Sequence, residues 1–68
     1  MMIIHLNNIE EQFAEEDLTI SQLMFVKRFS NKMMMVKLNG NMIKKSDWSA
    51  TQLKEGDDLH IIKIINGG

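Results

Sequence analysis

The sequence predicts an α+β fold in which a mixed sheet of four to five strands grips one main helix. Three observations carry this. The runs Met2–Leu6 and Leu59–Ile65 are rich in Ile or Leu and apolar enough to be central strands. Two turn signals, Asn7-Asn8 after the first of these runs and Asn39-Gly40 after Met33–Leu38, tolerate the left-handed backbone of a tight hairpin. Between them, Thr19-Ile20-Ser21-Gln22 has the form of a helix capping box. With 68 residues the chain holds one domain, 1–68, and such a domain hides only about 60% of the surface its unfolded chain exposes.

Taken in order, the first strand spans Met2 to Leu6, and the Asn7-Asn8 turn returns the chain through a second strand, Ile9 to Ala14. Glu10, Glu11 and Gln12 make that strand an edge, because charges there discourage pairing with another chain, and Phe13 anchors it to the core. The helix starts at Ile20, behind Glu15, Glu16 and Asp17, which suit its positive end. Ile20, Leu23 and Met24 share one face, and the helix is expected to run to about Phe29, with Lys27 and Arg28 in its last turn.

The third strand is Met33–Leu38, where parity sends Met34, Val36 and Leu38 to the core and Lys37 outward. After Asn39-Gly40 comes a short fourth strand, Met42 to Lys44, then a single helical turn at Ser46-Asp47-Trp48 that lets Trp48 cover one end of the core. Glu55-Gly56-Asp57-Asp58 turns into the last strand, in which Leu59 and Ile61 point inward and His60, Ile62 and Ile64 outward. A hairpin followed by a crossover helix suits the β-grasp connectivity. The other sheet face then presents Ile3, His5, His60, Ile62 and Ile64 as an apolar patch, and such patches mark interaction sites. His5 and His60 become neighbours if the first and last strands pair, but without a third ligand no metal site follows.

Composition narrows function. The chain has no Cys and two His, which excludes a disulfide framework or a thiolate metal centre. Eight basic against nine acidic residues leave a formal charge of -1, with the signs interspersed, so nucleic acid is not an expected partner. The N-terminal apolar stretch Met1–Ile4 is too short for a signal or a span, and a soluble intracellular protein without a membrane partner is expected. So small a core has little room to enclose a catalytic pocket. Of the seven Met residues, Met33, Met34, Met35 and Met42 are expected mainly as flexible core filler rather than a binding surface.

Two stretches, VKLNGNMIKKSDW (36–48) and LKEGDDLHIIKIINGG (53–68), resemble the ThiS sulfur carrier family, within the ubiquitin-like β-grasp superfamily. The first half is similar only in its strand-helix layout and in Thr19-Ile20-Ser21-Gln22-Leu23. The chain departs from the family pattern at Lys44, where relatives commonly carry Pro, and at Phe25 and Lys27.

The chemistry rests on Gly67-Gly68, which follows Ile65 and Asn66 in an expected flexible tail, 65–68. Glycines lack Cβ atoms, so such a tail can enter a narrow channel and take backbone angles closed to other residues. A carboxylate is a poor acyl donor. The resemblance implies that Gly68 is adenylated by an E1-like, ThiF-like enzyme using ATP, and that a sulfur donor protein then converts it to a thiocarboxylate for a ThiG-like thiazole synthase. On that reading the chain is a protein cosubstrate with no catalytic site and no bound cofactor, placed in the cytoplasm or a plastid stroma. Two other readings stay open: a ubiquitin-like modifier whose Gly68 is joined to lysines, and a molybdopterin-type sulfur carrier.

Overall fold

The computed structural model describes residues 1–29 and 33–64. The elements are β1 (Met2–Leu6), β2 (Ile9–Phe13), α1 (Ile20–Val26), β3 (Met34–Leu38), β4 (Asn41–Ile43), a 3-10 turn (Lys45–Asp47) and β5 (Asp58–Lys63). The sheet order is β2-β1-β5-β3-β4. β1 and β5 are parallel and the other pairs antiparallel, so the sheet is mixed, with β2 at one edge as its charges require. This is the expected α+β, β-grasp arrangement.

Both hairpins turn on backbone that few residues adopt. Asn7 and Asn8 have φ of 51° and 67°, and Asn39 and Gly40 have 50° and 86°, the positive pair that a type I′ turn demands. Each turn also grips β5. The Asn7 side chain accepts from the Ile61 N–H at 2.9 Å and donates to the Ile61 carbonyl at 3.3 Å, imitating a strand where β1 has already ended. On the other flank, Asn39 Oδ1 accepts from the Asp58 N–H at 2.9 Å, while the Asn39 N–H donates to the Asp58 carbonyl at 2.7 Å.

At the start of α1 all four orphan N–H groups find partners. Thr19 donates to Gln22 Oε1, Ile20 and Ser21 to the carbonyls of Thr51 and Trp48, and Gln22 to Thr19 Oγ1, before Leu23 makes the first intrahelical bond to the Thr19 carbonyl. The Gln22 side chain accepts from the Thr19 N–H, completing the capping box. The other end departs from expectation. α1 stops at Val26 rather than near Phe29, and Lys27 and Arg28 lie beyond its last turn. Arg28 takes φ 60°, its N–H donates to the Phe25 carbonyl, and the Phe29 N–H donates to that of Met24. This is a Schellman closure with arginine where glycine is usual.

Ile20, Leu23 and Met24 press against a core of Met2, Ile4, Leu6, Phe13, Val36, Leu59 and Ile61. Trp48 closes one end, its Nε1–H donating to the Ile43 carbonyl at 3.0 Å. Leu18 and Leu53, from connecting segments, complete the core and are tied by the Leu53 N–H donating to the Leu18 carbonyl at 2.8 Å. Met34 and Leu38 are only half-buried at its margin, because they lie toward the ends of β3. The methionine expectation is corrected: Met33 and Met42 are exposed and Met35 half-buried, so of the four only Met34 packs against the core. The second strand ends at Phe13, and the fourth begins one residue earlier than expected, directly after the two-residue turn.

Candidate functional site

The site read from the sequence has two parts, a tail and the sheet face beside it. Ile65, Asn66, Gly67 and Gly68, with the flexibility expected of them, lie outside the described residues. The sheet face lies within them and can be built from register.

In a strand, alternate residues share a face, so the partners of the buried Val36, Leu59 and Ile61 define the inner side and their neighbours the outer side. Ile3 and His5 of β1, and His60 and Ile62 of β5, all belong to the outer face, as parity predicts. Register separates them, however. His5 lies opposite Asp58 and Leu6 opposite Leu59, so β1 meets only the beginning of β5. At its own start β1 meets the turn that precedes β5. The Ile3 N–H donates to Glu55 Oε1 at 3.0 Å, the Gly56 N–H to the Ile3 carbonyl at 2.8 Å, and the His5 N–H to the Asp57 carbonyl at 2.9 Å. Gly56 holds φ 82° in this turn, where any Cβ would be strained.

His5 and His60 are therefore not opposite one another. His60 Nε2 stands 3.3 Å from Asp58 Oδ1, an ion pair whenever the imidazole is protonated, and a weak one on so open a surface. Among the described residues no group of three or more His, Cys, Asp or Glu comes together to hold a metal ion.

The apolar part of the outer face gathers instead at the far half of β5. Ile62 lies opposite Met35, and His60 opposite Lys37, which in turn faces Met42. The Ile64 N–H donates to the Met33 carbonyl, carrying the pairing one step beyond the strand. Ile62, Ile64, Met33 and Met42 are exposed, Met35 is half-buried, and Lys37 and Lys44 stand among them. Met35 and Met42 were not among the expected interface residues. The signal for them was present: Lys37 points outward, so Met35 must too, and a two-residue hairpin sets Met42 across from Lys37. This surface can bind an apolar partner with an acidic rim, beside the chain end that leads to Gly68.

The ThiS family model matches residues 4–68. Among solved structures, the crystal structure of a thiamine biosynthesis protein, ThiS, from Geobacter metallireducens superposes with a TM-score of 0.87 at 23% identity, covering 98% of this chain and 100% of that one. The NMR solution structure of a thiamine biosynthesis protein from the same organism gives a TM-score of 0.81 at 23% identity, covering 98% and 88%. These two likenesses establish the ubiquitin-like β-grasp fold. No curated protein matches the chain. Among the described residues no helix is long and apolar enough to cross a membrane.

Proposed function

The chain belongs to the ThiS family of sulfur carrier proteins, and on that premise we propose that it supplies sulfur for the thiazole of thiamine. The observation that carries this reading is the family match, which extends to Gly68. An E1-like adenylating enzyme binds the outer sheet face through Met35, Met42, Ile62 and Ile64 and draws Ile65–Gly68 into its active site. The Gly68 carboxylate attacks the α-phosphorus of ATP, releasing pyrophosphate and forming an acyl-adenylate. The terminal sulfur of a donor protein's persulfide then attacks the acyl carbon and AMP departs, giving an acyl disulfide; a second thiol attacks the donor's own sulfur, the S–S bond breaks, and Gly68 is left as a thiocarboxylate while the two thiols end as a disulfide. A thiazole synthase takes the sulfur and returns the carboxylate. All nucleotide chemistry belongs to the partners; the carrier contributes a recognisable face and a narrow tail, and the expected compartment is the cytoplasm.

Glycine is required in the tail because an added side chain would narrow the allowed backbone angles and widen the segment that must thread the channel. The thiocarboxylated protein, given to a thiazole synthase with its carbon substrates, is expected to lose sulfur and return as the unmodified chain. Stable isopeptide adducts with a lysine-bearing protein, without sulfur transfer, would favour the modifier reading and overturn this one.

A further inference from the structure

Asn39 and Asn66 each precede a glycine, and the first of these pairs forms the turn between β3 and β4. In such a pair the next main-chain nitrogen can reach the side-chain carbonyl carbon, because glycine has no Cβ to bar the approach. Asn39 and Gly40 are both exposed, so water reaches them. Closing that ring sets the Gly40 nitrogen level with Asn39 Cβ, the backbone of a type II′ turn, in which ψ at the first central residue is about −120°. The observed turn is type I′, for which that ψ is about 30°. Both turns need positive φ at the first position, and Asn39 has it at 50°. One flip of the peptide between Asn39 and Gly40 therefore separates the resting backbone from the reactive one, and glycine tolerates both sides of the flip.

A latch opposes the flip. The Asn39 side chain is held at both ends by the segment that leads into β5: Oδ1 accepts from the Asp58 N–H at 2.9 Å, and Nδ2 donates to Asp57 Oδ1 at 3.1 Å. Asp57 is itself fixed, since its Oδ2 accepts from the Lys54 N–H at 2.7 Å. Turning the amide back on Gly40 breaks both Asn39 bonds, and the Asp57 charge opposes loss of a proton from the attacking nitrogen. We propose that Asn39-Gly40 is a deamidation site which Asp57 holds closed in the folded chain. In the step, the Gly40 nitrogen attacks Asn39 Cγ, the new C–N bond closes a succinimide, and Nδ2 leaves as ammonia carrying the proton that Gly40 gave up. Water then opens the ring, giving aspartate or, when it adds at the main-chain carbonyl of residue 39, isoaspartate. Either product disables the latch. Aspartate sets a second carboxylate against Asp57 where a hydrogen bond stood. Isoaspartate lengthens the backbone of a two-residue turn and so disturbs the pairing of Leu38 with Asn41 and of Lys37 with Met42.

The test incubates the full chain in mildly alkaline buffer and follows each asparagine by proteolysis and mass spectrometry, which registers the change of an amide into an acid. Folded wild type should convert slowly at Asn39. In urea the same site should react about tenfold or more faster, at a rate close to that of Asn66 in the same sample. Asp57→Ala, kept folded, should convert at Asn39 at least about threefold faster than the folded wild type while the Ile61 amide keeps its protection from hydrogen exchange. Asp57→Ser, which retains an acceptor for the Lys54 N–H, replaces it if Asp57→Ala loses that protection. The isoaspartate form, separated by its added charge, should show displaced amide resonances for Lys37 and Met42. No activating enzyme takes part, so the outcome is independent of the carrier reading. Equal rates at Asn39 in the folded chain and in urea, no conversion there in urea, or no acceleration in a folded Asp57 variant would each overturn the proposal.

Discussion

The two halves of β5 are built on different terms. From Asp58 to Ile61 the strand is fastened on both flanks: the Asn7 main chain and side chain hold Leu59 and Ile61, and Asn39 holds Asp58. Leu59 and Ile61 are also buried in the core. From Ile62 onward, among the described residues, only β3 and the Met33 carbonyl accompany the strand, and Ile62 and Ile64 stand exposed. Stability is thus concentrated where the strand enters the sheet, and on the proposed function the exposed half is the one an activating enzyme reads. A carrier needs both, a rigid base and an accessible end.

The largest effect should come from the fastened half. Leu59→Ala removes a fully buried side chain and is expected to cost about 2–5 kcal/mol. The whole chain has only about 3–10 kcal/mol at typical per-residue stability. Chemical denaturation would show a markedly lower midpoint, or an unfolded protein if the wild type lies at the low end of that range. A loss under about 1 kcal/mol would mean that the base is not where stability lies.

The asparagine clamps come next. Asn7→Ala strands the part-buried Ile61 N–H and carbonyl and should cost about 1–3 kcal/mol, whereas Asn39→Ala affects bonds open to water and should cost about 0.5–1.5 kcal/mol. Hydrogen exchange would sharpen the comparison, since the Ile61 amide should lose protection in Asn7→Ala while the Asp58 amide keeps it. If both variants melted with the wild type, the clamps would be incidental.

The smallest change in stability belongs to the free half. Ile62→Asp should alter unfolding by no more than about 0.5 kcal/mol, yet weaken binding to the activating enzyme in calorimetry. Unchanged affinity in the folded variant would move the interface elsewhere.

Much of this was legible in the residues, and what was not has a physical cause. Asn7-Asn8 and Asn39-Gly40 announced their turns because positive φ leaves few residue choices. Their second task, clamping β5, is a contact between Asn7 and Ile61 across 54 positions, which no local pattern encodes. The capping box marked the start of α1, but its end carries no glycine, and Arg28 in the left-handed region is invisible to a stop signal based on Gly. Parity placed Ile3, His5, His60 and Ile62 on one face correctly. Register did not follow from parity, because it is set by the Glu55–Asp57 turn docking on Ile3 and His5, and that docking moved the apolar centre from Ile3 toward Met35 and Ile62. Leu18 and Leu53 sat in stretches with no strand or helix period, so their burial appears only once Thr19 and Gln52 are seen to bridge.

The central claim is that the exposed end of β5 exists to deliver Gly68 for activation. Intact-mass measurement after incubation with ATP, the E1-like enzyme and a sulfur donor tests it most directly. The account predicts replacement of one terminal oxygen of Gly68 by sulfur, abolished by deleting Gly68 and by adding one residue after it, which displaces the carboxylate by about 3.3–3.6 Å. An unchanged mass for the wild-type chain, or sulfur incorporation that survives deletion of Gly68, would contradict it.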